Sequence, residues 1–287
     1  MSSFSSKNFD SENYSKNRPQ YPLEFYAHLE SYHQGQLKLI VDQGCGPGTA
    51  TIQMRRHFNN VPEIIGTDVS PVMVNEANSV AARNGCENIK FFVAGGGDFS
   101  FLGDRANNKN VDLVVSAEAI QYFDIEKFQE QVAINLRSGG TLAYWGYLNP
   151  IVCEYPDMDQ QLIDFLFSPD KLAPYWELPA NEIIGDYYQG IKLNLSHFKD
   201  IEVKVFDPRD SNYDKCPLQM KCEMTVQGFA DYLSSWGIYY KWKNDPKNQN
   251  KKDIIEEITS FLYDKALSKN SVIHISWTTF YTFARAV

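Results

Sequence analysis

No stretch of this sequence stays apolar long enough to cross a bilayer. The opening Met1-Ser2-Ser3-Phe4-Ser5-Ser6-Lys7 is polar and lacks the apolar segment of a secretion signal. Positive charge is not in excess: 27 Lys and Arg against 36 Asp and Glu leave a net charge of −9. Phosphate backbones and anionic membranes call for a basic surface, so neither nucleic acid nor membrane is expected as a partner. Cysteine is sparse, at five residues with no CxxC spacing, and an odd number does not pair off. That pattern reads as reduced thiols in a cytoplasmic protein, with no metal-ligand set. Aromatic residues, by contrast, reach 14%, so any one of them fits core packing at least as well as a ligand contact.

The stretch that organises the chain is Leu39-Ile40-Val41-Asp42-Gln43-Gly44-Cys45-Gly46-Pro47-Gly48-Thr49. An apolar run, read as a buried strand, ends in an acid and three alternating glycines before a helix begins. Glycine permits the tight turn and a close approach of backbone to ligand. Asp68 follows twenty residues after Gly48, behind Ile64-Ile65-Gly66-Thr67. A carboxylate there, on the neighbouring strand, can accept both hydroxyls of a ribose. A dinucleotide would also use such features. However, Asp42 stands two residues before Gly44, where an anion opposes a pyrophosphate and suits a cationic ligand end. The amino group and sulfonium of S-adenosylmethionine fit that description. Cys45, inside the turn, reads as a small buried side chain rather than a reactive thiol.

Along the chain, residues 39–147 alternate strand and helix through five strands. That order implies a doubly wound, parallel α/β sheet with its site at the carboxyl ends of the strands. Residues 1–21 hold Tyr14, Arg18, Pro19 and Tyr21, with Pro22 next, which reads as an ordered arm. A helix from Pro22 through Leu23, Tyr26, Leu29 and Tyr32 follows, stopping near Gly35. Ser70-Pro71 opens another helix as cap and first residue, and Gly85 closes it. Gly95-Gly96-Gly97-Asp98 follows the third strand; Asp98 reads either as a partner for an adenine amino group or as an exposed loop acid. Asp124 caps a helix whose end is predicted at Arg137-Ser138-Gly139-Gly140, with the fifth strand at 141–147. Beyond it, 201–206 reads as a strand and 207–224 as loop. One amphipathic helix is predicted from Thr225 through Phe229, Leu233, Trp236 and Tyr240. Asp245 to Lys252 reads as a solvated turn, 254–262 as a helix, and 271–287 as a last strand paired with 201–206. At 287 residues, one large domain or a core with an inserted layer is expected.

The glycine motif, Thr67-Asp68, Asp98 and the segment after the fourth strand resemble the class I S-adenosylmethionine-dependent methyltransferases. Tyr14…Arg18-Pro19…Tyr21-Pro22, Phe229-Ala230-Asp231-Tyr232…Ser235-Trp236, Trp242-Lys243…Asp245-Pro246-Lys247-Asn248 and Trp277-Thr278-Thr279-Phe280-Tyr281 narrow this. They resemble the fungal group of trans-aconitate 3-methyltransferases and cantharidin-resistance methyltransferases. The resemblance implies a Rossmann-like, mostly parallel seven-stranded sheet with an antiparallel last strand. It implies an arm and helix over the site at 1–35, a cofactor-binding core at 36–150, and a helical cap plus last strands at 151–287. The cofactor-binding set is expected at Asp42, Gly44, Cys45, Gly46, Gly48, Asp68, Asp98, Phe99 and Ala117. The sequence departs from the group at Gln43, where an apolar residue is usual, and at Gln121-Tyr122, where His-Trp is usual.

Methyl transfer from a sulfonium needs position and a dry site more than it needs protein nucleophiles. An anionic carboxylate acceptor requires no base, whereas a hydroxyl or amine does. The histidines, His28, His33, His57, His197 and His274, do not follow a strand end where a base would stand. Glu118 reads as a base or, better, as an acid that orders its loop. A small-molecule carboxylate is therefore the favoured acceptor, with no catalytic side chain. Its binding set is expected at Tyr14, Arg18, Tyr21, Gln121, Tyr122 and Trp145, led by the Arg18 guanidinium. A bulkier, drug-like acceptor and a non-catalytic cofactor-binding module are the alternatives.

Overall fold

Each apolar run that ends in an acid or glycine becomes a strand. β1 (Leu39–Gln43), β2 (Glu63–Asp68), β3 (Ile89–Val93), β4 (Val111–Ala117) and β5 (Leu136–Val152) alternate with α2 (Thr49–His57), α3 (Pro71–Arg83) and α4 (Ile125–Asn135), behind a first helix α1 (Leu23–Tyr32). The computed structural model describes residues 18–287. Tyr14 and residues 1–17 of the expected arm lie outside the described residues.

The described chain falls into two compact units. The larger comprises Gln20–Leu148, Pro179–Gln219 and Thr279–Val287; the smaller comprises residues 18–19, Asn149–Leu178 and Met220–Thr278. In the larger unit, β6 (Phe198–Phe206) and the second half of β8 (Val272–Ala286) complete a sheet of order β3-β2-β1-β4-β5-β8-β6. β1 pairs in parallel with β2 on one side and β4 on the other. The chain reverses its direction of travel across the sheet between β1 and β4. That makes a doubly wound sheet, with the crevice at the carboxyl ends of these two strands.

Register separates the two faces. Asp42 lies opposite Gly66 and Val115, and Gln43 opposite Thr67. Because side chains alternate, Asp42 and Gln43 serve opposite sides of one strand. On one face α1 brings Phe25 and Tyr26 against Trp145, with ring centroids 5.0 and 6.3 Å away. On the other, Phe128 and Val132 of α4 join a cluster with Tyr144, Tyr188 and Phe280.

Local rules explain most boundaries. Ser70 caps α3 by accepting from the Met73 N–H, with Pro71 at the first position, and Gly85 leaves the helix at φ +61°. Asp124 caps α4 through the Lys127 N–H. Of the expected α1 face Tyr26 and Leu29 are buried, together with Phe25, whereas Leu23 is 60% exposed.

Four expectations are corrected. The helix before β5 stops at Asn135, and Arg137 to Gly140 belong to the strand, which pairs with β4 through a register shift between Val111 and Leu113. Gly139 at φ +72° allows that irregularity. The region 207–224 is not all loop. β7 (Lys221–Thr225) adds to the first half of β8 in the smaller unit, so the sheet has eight strands instead of seven. The helix predicted through Tyr240 is two: α7 (Val226–Ser234) and α8 (Gly237–Asn244), divided where Trp236 turns extended ahead of Gly237. The turn at 245–252 is not wholly solvated, since Asn248 is buried and donates to the Trp242 carbonyl and the Tyr175 hydroxyl. The smaller unit is otherwise helical, with α5 (Asp157–Phe167) and α9 (Ile254–Asp264), and α6 (Ala180–Gly185) lies in the larger.

Candidate functional site

The turn after β1 is built from three left-handed glycines. Gly44, Gly46 and Gly48 have φ of +75°, +53° and +86°, a region that disfavours any side chain. A Cβ on Gly44 would stand 2.3 Å from the Ala119 Cβ, and one on Gly48 would press on Ala77 and Phe91. A Cβ on Gly46 would meet nothing within 4 Å. The turn is therefore packed from beneath at its two ends and open at its middle, as a ligand cradle requires. Cys45 is buried, and burial pushes its thiol well above the ordinary range, so it stays protonated as the small buried side chain expected.

Two acids flank this turn. Asp68, at the end of β2, accepts from the Gly46 N–H at 3.0 Å and the Ser70 N–H at 2.8 Å. Asp42 is fully buried beneath the glycines; its Oδ2 accepts from the Thr51 hydroxyl at 2.6 Å. Its Oδ1 has no hydrogen-bond partner among the described residues. Burial pushes the Asp42 carboxyl up to about 7, against the Thr51 hydrogen bond and with help from Asp68. Burial likewise raises Asp68. Buried negative charge without a counter-charge calls for a cation. Thr67 Oγ1, Ser116 Oγ and Trp145 Nε1 are also buried without a partner among the described residues. They lie with Asp42 on four adjacent strands near the carboxyl ends, Trp145 on the Asp42 face and Thr67 and Ser116 on the Gln43 face, so they border the crevice from both sides, where a ligand is expected to satisfy polar groups. This donor set fits S-adenosylmethionine.

The loop after β3 closes one side. Asp98 is exposed and accepts from the Ser100 N–H at 2.8 Å. Phe99 is buried in the core cluster below it. Phe123 bridges the loops: its ring would lie 3.2 Å from a Cβ on Gly44 and 2.4 Å from one on Gly96. Phe123, Thr51 and Gln43 are site residues the sequence did not single out as contacts; only Gln43 left a signal, as a polar residue inside an apolar run.

The segment after β4 is held by its own side chains. Glu118 takes φ +57°, and its Oε1 accepts from the Tyr147 N–H at 2.6 Å. Gln121 is buried; it donates to the Glu118 carbonyl at 2.9 Å and accepts from the Tyr188 hydroxyl at 2.6 Å. Tyr122 next to it is 43% exposed. Ala117 ends β4 opposite Trp145. Trp145 is fully buried, with Tyr21 edge-on at 5.6 Å, while its indole N–H is left without a partner among the described residues. Arg18 belongs to the smaller unit, its guanidinium 5.8 Å from the Tyr232 ring centroid. Gly146 lies under Glu118, and a Cβ there would sit 2.5 Å from Oε1 and 2.7 Å from the Phe280 ring. Gly146→Ala is therefore expected to cost about 1–3 kcal/mol by overpacking. A thermal melt unchanged from the parent would show that Glu118 is not held in this way.

Comparison with known proteins agrees with this geometry. A family model described as a methyltransferase domain matches residues 40–140. A Saccharomyces cerevisiae protein, described as the probable S-adenosylmethionine-dependent methyltransferase CRG1, is 33% identical over 99% of this chain and 98% of its own length. A Dictyostelium discoideum protein described as a methyltransferase is 23% identical, covering 88% of this chain and 82% of its own. The solved structure of a type II methyltransferase, so described, from Anaeromyxobacter dehalogenans superimposes with a TM-score of 0.69 at 18% identity, over 93% of this chain and 97% of that one.

Proposed function

Because the chain belongs to the S-adenosylmethionine-dependent methyltransferases, we propose that it methylates a carboxylate oxygen of a small organic acid, of the trans-aconitate type, to give a methyl ester. When bound, the cofactor supplies an electrophilic methyl group on a positively charged sulfur. The chain's own residues bind and orient. In this reading Asp42 and the turn with Gly44, Cys45, Gly46 and Gly48 hold the methionine end. Asp68 takes the ribose hydroxyls, and Asp98 and Phe99 receive the base, with Ala117 at the floor.

The observation that carries the choice of acceptor is the state of Glu118. It is the only carboxyl on the segment 118–122, and it accepts a short hydrogen bond from the Tyr147 N–H. A carboxyl used to fix two strand ends is a poor proton acceptor for an incoming hydroxyl or amine. Three of the four histidines of the larger unit are engaged elsewhere: His33 with Thr141 and Arg137, His57 with Glu30, His28 with Tyr281; the fourth, His197, stands beside the Phe198 ring at the start of β6. A carboxylate acceptor arrives as an anion and needs none of them.

An acidic acceptor needs a cation in a protein of net charge −9. Arg18 is that cation in this reading, its guanidinium fork matching a carboxylate. Arg18→Ala is expected to raise the KM for an acidic acceptor about 10–100-fold, with the cofactor KM changed far less. Equal KM values for parent and variant would remove Arg18 from the site. A bulkier apolar acceptor is the second reading, favoured by the exposed ring of Tyr122 beside a Gln121 amide already committed at both ends. Mass spectrometry of products from labelled cofactor and a panel of organic acids and apolar acceptors decides between them. Tight cofactor binding with no product across the panel would favour a non-catalytic module.

A further inference from the structure

Gln43 is a buried amide in the middle of a parallel sheet. All five residues of β1 are buried, and the other positions on its side of the strand are Leu39 and Val41. A polar group there carries a desolvation penalty unless it is fully paired. Gln43 is paired on both sides of its amide, and both partners lie on one loop. Its Oε1 accepts from the Gly97 N–H at 2.8 Å, and its Nε2 donates to the Asp98 carbonyl at 3.3 Å. The amide orientation is forced, since an N–H meets only an oxygen and a carbonyl only an NH2.

Beside the close approach of Phe123 to Gly96 and of the Phe128 backbone to Gly97, that loop depends on hydrogen bonds for its conformation. It runs through Gly95, Gly96 and Gly97, with Gly97 at φ +80°, so its backbone has few steric restraints of its own. Inside the loop, the Asp98 N–H donates back to the Gly95 carbonyl at 3.0 Å. Gln43 joins two further backbone groups of the loop, the Gly97 N–H and the Asp98 carbonyl, to the strand that carries the glycine turn. An apolar side chain at position 43 would bury the Gly97 N–H without a partner.

We propose that Gln43 is a positioning residue: it sets the 95–98 loop in the conformation that receives the base of the cofactor, and so makes the protein selective for adenine. The proposal rests on the reading of this loop as the base-binding side of the site. Gln43 acts through the loop and touches no reacting group.

Calorimetry with S-adenosylhomocysteine and S-inosylhomocysteine, which differ only at the base, provides the test. The parent is expected to prefer the adenosyl compound at least about tenfold, the range of one or two well-placed hydrogen bonds. Gln43→Met keeps length and removes both hydrogen bonds. It is expected to weaken the adenosyl compound about 5–50-fold, narrow the preference to about threefold or less, and speed amide exchange at Gly97. Gln43→Glu keeps the acceptor for Gly97 and loses the donor to Asp98. It is expected to fall between the two in base preference, and it serves if the methionine variant does not fold. Unchanged base preference and unchanged Gly97 exchange in a folded variant would overturn the positioning role. A parent that binds neither compound would instead overturn the reading of the site itself.

Discussion

Changing Asp42 to asparagine is expected to weaken S-adenosylmethionine binding about a hundredfold at pH 8 while making the cofactor-free protein more stable. The Asp42 carboxyl is fully buried, one oxygen accepting from Thr51 and the other without a partner among the described residues. In the unfolded chain the group titrates near 4; in the folded protein burial moves it to about 7. Between those values the folded protein retains a proton that the unfolded chain has released. Its contribution to stability is therefore complete below about pH 4 and is lost as pH rises through 7. An interval from 3.8 to about 7 amounts to roughly 4 kcal/mol. A cation reverses the sign, because it favours the ionised acid. A unit charge pair a few ångströms apart is worth about 3 kcal/mol at an effective dielectric near 20, or about a hundredfold in affinity. Binding should then release a proton below pH 7, and the Kd should rise about tenfold between pH 8 and pH 6. In Asp42→Asn both pH slopes should flatten, and the melting temperature of the cofactor-free variant at pH 8 should exceed the parent's. Calorimetry in buffers of different ionisation enthalpy, with thermal melts from pH 5 to 8, reads all three. A Kd for the parent that is flat from pH 6 to 8 would sink the argument.

The same residue shows what the sequence made legible. An acid ahead of three alternating glycines locates a cation-seeking turn, and β1, β2 and β4 fall where the apolar runs put them, because a buried parallel strand is close to continuous in hydrophobicity. That Asp42 lies beneath the turn instead of on its surface was not legible, since alternation gives the face of a strand and not the depth. β7 was missed because Lys221-Cys222-Glu223-Met224-Thr225 has little apolar signal; it exists through its ladder with β8, a partner fifty residues away in sequence. The break between α7 and α8 was hidden for the opposite reason. Leu233, Trp236 and Tyr240 keep helical spacing across it, and only Gly237 marks the interruption. Gln43 was visible as an exception to a pattern, but its partners are set by tertiary packing. The split of the chain into its two units, with Arg18 in the smaller, lies beyond what periodicity can carry.

At the other end of the sheet, Asp112→Ala is expected to lower stability by about 3–5 kcal/mol, the range for breaking a buried ion pair. Asp112 Oδ2 accepts from the N–H groups of Lys38 at 2.8 Å and Leu39 at 2.9 Å, and Oδ1 accepts from Arg137 Nε at 2.7 Å. Arg137 also reaches the Gln34 carbonyl and lies 3.0 Å from His33 Nε2, while His33 Nδ1 meets the Thr141 hydroxyl at 2.9 Å. One carboxylate thus ties the amino ends of β1, β4 and β5 to the chain that leaves α1. Arg137, which reads in sequence as a basic helix terminus, is the cationic arm of this clamp. Removing Asp112 leaves two backbone donors and a guanidinium without their acceptor, and the melting temperature should fall by roughly 10 °C. Because the clamp is at the amino ends of the strands, S-adenosylhomocysteine affinity measured well below the melting point should stay within about twofold of the parent. His33 gives the clamp a pH dependence opposite to that of Asp42. Burial first, and the Arg137 charge second, push His33 down to about 4. The stability it contributes is present above about 6.5 and is lost as pH falls towards 4. In an Asp42→Asn background, where the opposing slope of Asp42 is gone, denaturant melts should show lower stability at pH 5 than at pH 7. A double variant that also carries Asp112→Ala, with a melting temperature within about 2 °C of the Asp42→Asn protein, would show that the strand ends are held together by packing and not by this carboxylate.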